Sequence, residues 1–138
     1  MSEVFVLDAC ALIAALSKEE GGYTVLEVYN KANIGQVRLV MNKINLLEVY
    51  YDDYRVHDKT SADNMFSQVC SSAVQIITEI SDDIFKEAGR LKASHKISLA
   101  DSIVLAQALV TNGILLTSDH HEFETIEKSE NIRIQWIR

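Results

Sequence analysis

The chain has 138 residues, 48% hydrophobic and 24% charged, a size and balance that fit one compact domain over residues 1–138. Its net charge of −7 argues against a protein that coats nucleic acid non-specifically, but not against an enzyme acting on nucleic acid. No segment approaches the roughly 18 apolar residues of a membrane span. The N-terminus does not have the pattern of a signal peptide. The two cysteines, Cys10 and Cys70, match neither a disulfide framework nor a zinc motif. We therefore expect a cytoplasmic protein that does not enter a membrane.

Short apolar runs and helically spaced apolar residues alternate along the chain. They predict, in order, a strand at 4–7, helices at 10–16 and 23–32, a strand at 37–41, helices at 45–57 and 61–71, a strand at 74–78, helices at 82–95 and 99–111, and strands at 114–117 and 132–137. This order predicts an α/β fold of three layers, α/β/α, with a mostly parallel central sheet of four to five strands.

Two aspartates stand at the ends of predicted strands. Asp8 follows the first strand and Asp119 follows the fourth. Ligands of open parallel sheets bind beyond the carboxyl ends of strands. If these strands are neighbours, a spacing of about 4.8 Å brings both carboxylates within reach of one metal ion. Alternatively, each aspartate only caps the helix that follows it.

Two further acids lie in the first turns of predicted helices. Glu48 follows Asn45, and Asp101 follows Ser98, at the spacing of a capping box, so each acid could serve only as a helix cap. Their apolar neighbours indicate partial burial, however, and a buried carboxylate needs a partner or a metal. If the fold gathers all four acids, they form an oxygen-lined pocket suited to Mg²⁺ or Mn²⁺.

Four segments carry a resemblance to a known family. Residues 6–13, 45–50, 97–104 and 115–119, the last followed by Phe123, resemble the corresponding segments of PIN-domain nucleases, and in size and spacing the VapC-type toxins of toxin–antitoxin pairs. The family often has Ser or Thr where this chain has Ala9 and Cys10. This departure concerns a hydroxyl contact near the metal and leaves the metal ligand in place.

The resemblance implies a PIN-like fold over residues 1–138 and a metal-dependent ribonuclease with a Mg²⁺ or Mn²⁺ cofactor. It implies that Asp8, Glu48, Asp101 and Asp119 are the catalytic metal ligands, and that RNA is cut to leave a 5′-phosphate and a 3′-hydroxyl. It also implies a cognate antitoxin partner and a homodimer, for which the tyrosine-rich helix at 45–57 is a candidate surface.

Several residues are candidates for substrate binding. Arg90, Lys92 and Lys96 could contact phosphates, or they could form only a solvated helix face. Thr117 or Ser118 could orient the adjacent Asp119 or a water molecule at the site.

Two groups of side chains near these segments have plainer interpretations. We interpret His120 and His121 as loop residues, since adjacent side chains tend to point apart and make a poor metal pair. The tyrosines Tyr50, Tyr51 and Tyr54 could stack on bases, but packing in a core or an interface is the more usual role.

Three alternative interpretations assign the chain to other functional classes. The first is a non-catalytic PIN-like module that binds RNA or protein, which only an activity assay separates from an enzyme. The second is a receiver-like signalling domain, but Glu79 stands where its acceptor aspartate would lie and no lysine closely follows Asp119. The third, a phosphatase that begins with an Asp-x-Asp motif, is disfavoured because Cys10 replaces the second aspartate.

Overall fold

A five-stranded sheet runs through the centre of the computed structural model, which describes residues 2–138. The strands are β1 (Val4–Leu7), β2 (Arg38–Asn42), β3 (Val74–Ile77), β4 (Ile114–Thr117) and β5 (Arg133–Trp136). All neighbouring pairs are parallel, and the spatial order is β3-β2-β1-β4-β5. The predicted parallel sheet is therefore confirmed, including the strand predicted at 132–137.

Seven helices connect these strands within residues 2–138. They are α1 (Ala9–Leu16), α2 (Gly22–Asn33), α3 (Lys43–Val56), α4 (Lys59–Cys70), α5 (Asp82–Ser94), α6 (Leu99–Thr111) and α7 (His120–Ser129). The first six match the predicted helices to within two residues at each end. None of the helices in this described part of the chain is both long and apolar enough to cross a bilayer.

Helix α7 was not predicted, because its sequence is mostly polar and contains only two large apolar residues. Only Phe123 and Ile126 are buried among its residues, and they are three positions apart on one face. Asp119 is the N-cap, since its Oδ1 accepts a hydrogen bond of 3.2 Å from the backbone N–H of Glu122.

Successive strand residues pack into two separate cores, one on each face of the sheet. Val6 and Leu115 face a core built with α5, α6 and α7. Leu7 and Leu116 face the other core, built with α1, α2, α3 and α4. This is the three-layer α/β/α arrangement predicted from the sequence.

The strand order places a topological switch point at β1. The chain leaves β1 toward β2 on one side, and β4 pairs with β1 on the other, with Leu7 opposite Leu116. A crevice opens at the carboxyl ends of the strands at such a point. Asp8 and Asp119 follow the two strands that meet there.

Candidate active site

All four predicted acids line one small cavity of about 110 Å³ at the carboxyl edge of the sheet. Asp8 lies at the end of β1, Glu48 in α3, Asp101 in the first turn of α6 and Asp119 after β4. Cys10 and Asn45 are also in the lining. The fold thus brings these acids together, and their action as metal ligands remains a prediction.

The carboxylate of Asp8 is buried, with 6% of the residue exposed, and three groups hydrogen-bond to it. As the N-cap of α1, its Oδ1 accepts a hydrogen bond of 2.8 Å from the N–H of Ala11. Its Oδ2 accepts one of 2.5 Å from the hydroxyl of Thr117, and the Sγ of Cys10 donates from 3.2 Å. Asp8 is therefore held in one orientation.

The hydroxyl of Thr117 connects Asp8 to Asp119. While it donates to Asp8, its oxygen accepts a hydrogen bond of 3.0 Å from the backbone N–H of Asp119. Thr117 itself is completely buried, so its effect on the site passes through these two aspartates. The neighbouring Ser118 is partly buried, and its hydroxyl donates to the Sγ of Cys10 at 3.4 Å.

Cys10 is one of the two positions, with Ala9, at which this chain departs from the family pattern. Burial, and then the negative charge of Asp8, raise the pKa of the Cys10 thiol. The thiol therefore stays protonated at neutral pH and donates to Asp8. The hydroxyl that contacts Asp8 is supplied instead by Thr117, from the neighbouring strand.

Helix α3 begins earlier than predicted, and this corrects the role of Asn45. Its N-cap is Asn42, whose Oδ1 accepts a hydrogen bond of 2.9 Å from the N–H of Ile44. The proposed capping box of Asn45 and Glu48 is therefore wrong, because β2 runs directly into the helix. Glu48 lies in the second turn.

Asn45 joins α3 to α6 beneath the cavity. It is 1% exposed, and its Nδ2 donates a hydrogen bond of 3.0 Å to the carbonyl oxygen of Ala100, next to Asp101. The predicted cap of α6 is confirmed, since the Oγ of Ser98 accepts a hydrogen bond of 3.0 Å from the N–H of Asp101. These two contacts fix the turn that carries Asp101.

Burial raises the pKa of Asp8 from 3.8 to about 6. The hydrogen bonds from Thr117, Ala11 and Cys10 favour the ionised form and oppose this rise, whereas the charge of Asp101 adds to it. The loss of hydration outweighs the hydrogen bonds, so the ionised carboxylate is disfavoured here.

The other acids of the cavity repel one another. Burial raises the pKa of Asp101 to about 6, and the charges of Glu122, Glu48 and Asp119 contribute to the rise. Burial and the charge of Asp8 also raise the pKa of Glu48. A cation that replaced these repulsions with attraction would favour the ionised form of every carboxylate.

The donor atoms fit a hard divalent cation. They are carboxylate oxygens together with the Oδ1 of Asn45, which is buried and has no hydrogen-bond partner. Within residues 2–138, however, no three Asp, Glu, His or Cys side chains lie close enough to share one ion as arranged. Glu48, Asp101 and Asp119 are each partly exposed at the cavity.

The basic candidates lie outside the lining of the cavity. Arg90 donates hydrogen bonds to two carboxylates, the closest being 2.6 Å from Glu87 and 2.8 Å from Glu130. The Nζ of Lys92 donates to the carbonyl of Ile97 at 2.9 Å. Lys96 is exposed. Contact of any of them with RNA remains a prediction.

His120 and His121 are not loop residues, because α7 begins at His120. The ring of His120 stacks on Trp136, with centroids 4.0 Å apart, and its Nε2 lies 2.7 Å from the carbonyl oxygen of Arg138. The side chain of His121 is 93% exposed. Neither histidine lines the acidic cavity.

The tyrosines of α3 divide into two groups. Tyr50 packs edge-on against Phe66, and its hydroxyl donates a hydrogen bond of 2.6 Å to Asp63. Tyr51 and Tyr54 are 48% and 47% exposed. Tyr50 is therefore a packing residue, whereas the other two remain available to a partner.

Sequence reasoning missed two residues of the site. Asn45 was interpreted as a cap, although a polar residue between apolar neighbours was already a sign of burial. Glu122, whose charge raises the pKa of Asp101, was hidden in the unpredicted α7. Its position three residues after the capping Asp119 was the only available signal.

Comparison with known proteins gives one family. The sequence model of the PIN domain family matches residues 5–128 of this chain. Among solved structures, the fold is similar to DNA-bound VapBC from Salmonella typhimurium, with a TM-score of 0.77 and 18% identity over 100% of both chains. It is also similar to VapBC-1 from nontypeable Haemophilus influenzae, with a TM-score of 0.75 and 17% identity over 97% of this chain and 98% of that one.

A third similar structure is VapC20 from Mycobacterium tuberculosis, described as a Sarcin-Ricin loop cleaving toxin. Its TM-score is 0.61 at 14% identity, over 80% of this chain and 86% of that one. No curated protein matches the chain. At these sequence identities, the structural likenesses show a shared fold. The family model covers most of the sequence, including the four segments that carry the resemblance, and it confirms that resemblance. This chain belongs to the PIN domain family.

Proposed function

We propose that this protein is a ribonuclease that uses Mg²⁺ or Mn²⁺ and acts as the toxin of a toxin–antitoxin pair. The observation that carries the proposal is the single cavity lined by Asp8, Glu48, Asp101 and Asp119. Membership of the PIN domain family supports a nuclease. The M. tuberculosis protein of the same fold, described as a toxin that cleaves the Sarcin-Ricin loop, supports RNA as the substrate.

In the proposed reaction water is added across a P–O3′ bond of RNA. The water oxygen joins phosphorus, the bond to the 3′-oxygen breaks, and that oxygen takes up a proton, which leaves a 5′-phosphate and a 3′-hydroxyl. When bound, the cation supplies Lewis-acid chemistry to this hydrolysis.

The chain's own residues have separate parts in this reaction. Asp8, Glu48, Asp101 and Asp119 would hold the cation, and Thr117 fixes Asp8 and Asp119 relative to each other. The raised pKa values of Asp8 and Asp101 mean that, without a cation, part of each population carries a proton near pH 6. Cation binding must displace those protons.

The antitoxin belongs to the same proposal. The neighbours from S. typhimurium and H. influenzae were solved as VapBC, and one from Klebsiella pneumoniae is a toxin–antitoxin complex with a TM-score of 0.69 at 23% identity. An antitoxin that places a basic side chain in the acidic cavity would neutralise its charge and block it.

Association of two copies is a further part of the proposal. Leu47, Tyr51 and Tyr54 are each about half exposed and follow one another at helical spacing along α3. Such an apolar stripe with two tyrosines has the composition of an interface core. Light scattering of the wild type and of Tyr51→Lys tests it, and a monomeric wild type would contradict it.

Cleavage of total RNA tests the catalytic proposal. The purified protein should degrade RNA with Mg²⁺ or Mn²⁺ and not with EDTA, and Asp8→Asn should be inactive. Asp83→Asn is the matched control, since Asp83 is exposed in the first turn of α5. Cleavage that persists in EDTA would overturn the metal mechanism. Binding of RNA without any cleavage would favour the non-catalytic module.

A further inference from the structure

One end of the Asn45 side-chain amide makes a hydrogen bond, and the other end makes none. Its Nδ2 donates to the carbonyl of Ala100, whereas its Oδ1 is the only buried side-chain nitrogen or oxygen within residues 2–138 that has no hydrogen-bond partner. Asn45 is 1% exposed and lies in the lining of the acidic cavity. An unpaired acceptor is therefore buried beside the carboxylates.

The orientation of the amide is fixed by its surroundings. Exchanging Oδ1 and Nδ2 would press an acceptor against the carbonyl oxygen of Ala100, with no donor between them. The oxygen is thus left as the end without a partner.

An unsatisfied buried acceptor is costly. Leaving such a group without a partner costs roughly 1–3 kcal/mol, and native proteins contain few of them. A leucine of similar size would fill the space without this cost. The amide oxygen is thus an acceptor that is available to a ligand of the cavity.

We propose that the Oδ1 of Asn45 is a ligand oxygen for the divalent cation held by the four acids. The inference rests on the proposed function and adds a residue to its site. Mg²⁺ takes six oxygen ligands, and each of these oxygens lies about 2.1 Å from the ion. A neutral oxygen adds to the coordination of the cation without adding a fifth negative charge to a cavity already lined by four carboxylates.

Asn42 provides a matched control on the same helix. It is equally buried, at 1% exposed, but both ends of its amide are used. Its Oδ1 accepts from the N–H of Ile44, and its Nδ2 lies 3.5 Å from the Oε1 of Gln107. Asn42→Ser retains an N-cap oxygen and removes the amide outside the cavity.

Calorimetric titration with Mn²⁺ alone tests the proposal, with melting temperature as a second readout. We expect Asn45→Leu to weaken Mn²⁺ binding by about tenfold or more, in the range seen when a metal site loses a supporting contact. Its metal-free melting temperature should stay near that of the wild type, since the lost hydrogen bond is offset by removal of the unpaired acceptor. Asn42→Ser, which leaves the amide of Asn45 and its contact with Ala100 in place, should bind Mn²⁺ as tightly as the wild type.

The outcomes separate this proposal from the proposed function. If Asn45→Leu binds Mn²⁺ as tightly as the wild type, Asn45 is not a ligand, while the four-acid site stands. If the wild type binds no Mn²⁺, the metal mechanism and the role of Asn45 both fail. Should leucine prevent folding, Asn45→Ser makes the same comparison, because its hydroxyl is too short to reach the position of Oδ1.

Discussion

The hydroxyl of Thr117 donates a hydrogen bond of 2.5 Å to the Oδ2 of Asp8, joining the ends of β4 and β1 across 109 positions of sequence. The same oxygen accepts from the N–H of Asp119. One buried hydroxyl therefore sets the relative position of two acids that come from opposite ends of the chain.

Replacement of Thr117 by valine keeps the shape of the side chain and removes this hydroxyl. We expect Thr117→Val to lower RNA cleavage by about 10- to 100-fold, the usual effect of losing a group that orients a metal ligand. It should also raise the pKa of Asp8 further, because a hydrogen bond that favours the ionised form is gone. Steady-state cleavage rates at several Mn²⁺ concentrations measure the effect.

Thr111→Val is the control for this change. The Thr111 hydroxyl donates only to the carbonyl of Gln107 within α6, and it lies outside the cavity. Its removal should leave cleavage at the wild-type rate. Equal losses in the two variants would show that Thr117 acts through general stability and not through Asp8.

Asp101→Asn should lose cleavage and gain stability. The substitution removes a charge that burial and the carboxylates of Glu122, Glu48 and Asp119 all disfavour, so in EDTA at neutral pH the melting temperature should rise. Thermal unfolding and RNA cleavage, measured on the same preparation, check the two effects. The exposed-site variant Asp83→Asn also removes a charge from a first helical turn, so it should leave cleavage unchanged and lower the melting temperature slightly. A fall in the metal-free melting temperature of Asp101→Asn as large as that of Asp83→Asn would contradict the repulsion.

The metal-free protein should become less stable as the pH rises from 5 to 7. The native pKa of Asp8 is about 6, above its ordinary value of 3.8, so in this interval the folded state holds a proton that the unfolded chain has released. The free energy of unfolding should therefore fall by about 1 kcal/mol from Asp8 alone, and Asp101 adds to the fall.

Urea denaturation in EDTA at pH 5, 6 and 7 measures this dependence. With saturating Mn²⁺ the trend should reverse, because protons compete with the cation for the same oxygens. Stability that is constant or increases between pH 5 and 7 without metal would mean that the two carboxylates are already ionised at pH 5.

Arg90 and Lys96 should differ in their roles. Arg90 is bound by Glu87 and Glu130, so Arg90→Met should lower the free energy of unfolding by about 1 kcal/mol and leave RNA affinity unchanged. Lys96 is exposed, and Lys96→Met should leave stability unchanged while weakening RNA binding at low salt if it contacts phosphate. RNA binding that weakens in Arg90→Met without loss of stability would reverse this assignment.

Most of the sheet could be predicted because parallel strands are buried on both faces and therefore appear as continuous apolar runs. The order of these strands is a tertiary property, and no run in the sequence states that β1 lies between β2 and β4. The prediction that Asp8 and Asp119 lie close together required β1 and β4 to be neighbours, and the structure shows this strand order.

The parts of the site that sequence did not predict depend on contacts between distant segments. The pKa values of Asp8 and Asp101 follow from burial, which becomes visible only when α3, α6 and α7 pack. The true cap of α3, Asn42, was missed because β2 ends at the same residue and leaves no loop to mark the boundary. Asn45 was consequently given the role that Asn42 fulfils.

The position of β4 beside the first strand has a consequence for how the protein is made. Residues up to 113 contain Asp8, Glu48 and Asp101, but Asp119 and the hydroxyl of Thr117 follow only with β4 and the residue pair after it. A nascent chain on the ribosome therefore has no complete cavity until β4 and the two residues after it have emerged and β4 has docked against β1. Products of translation interrupted before residue 119 lack the fourth acid, and hence the complete cavity forms only when synthesis is nearly over.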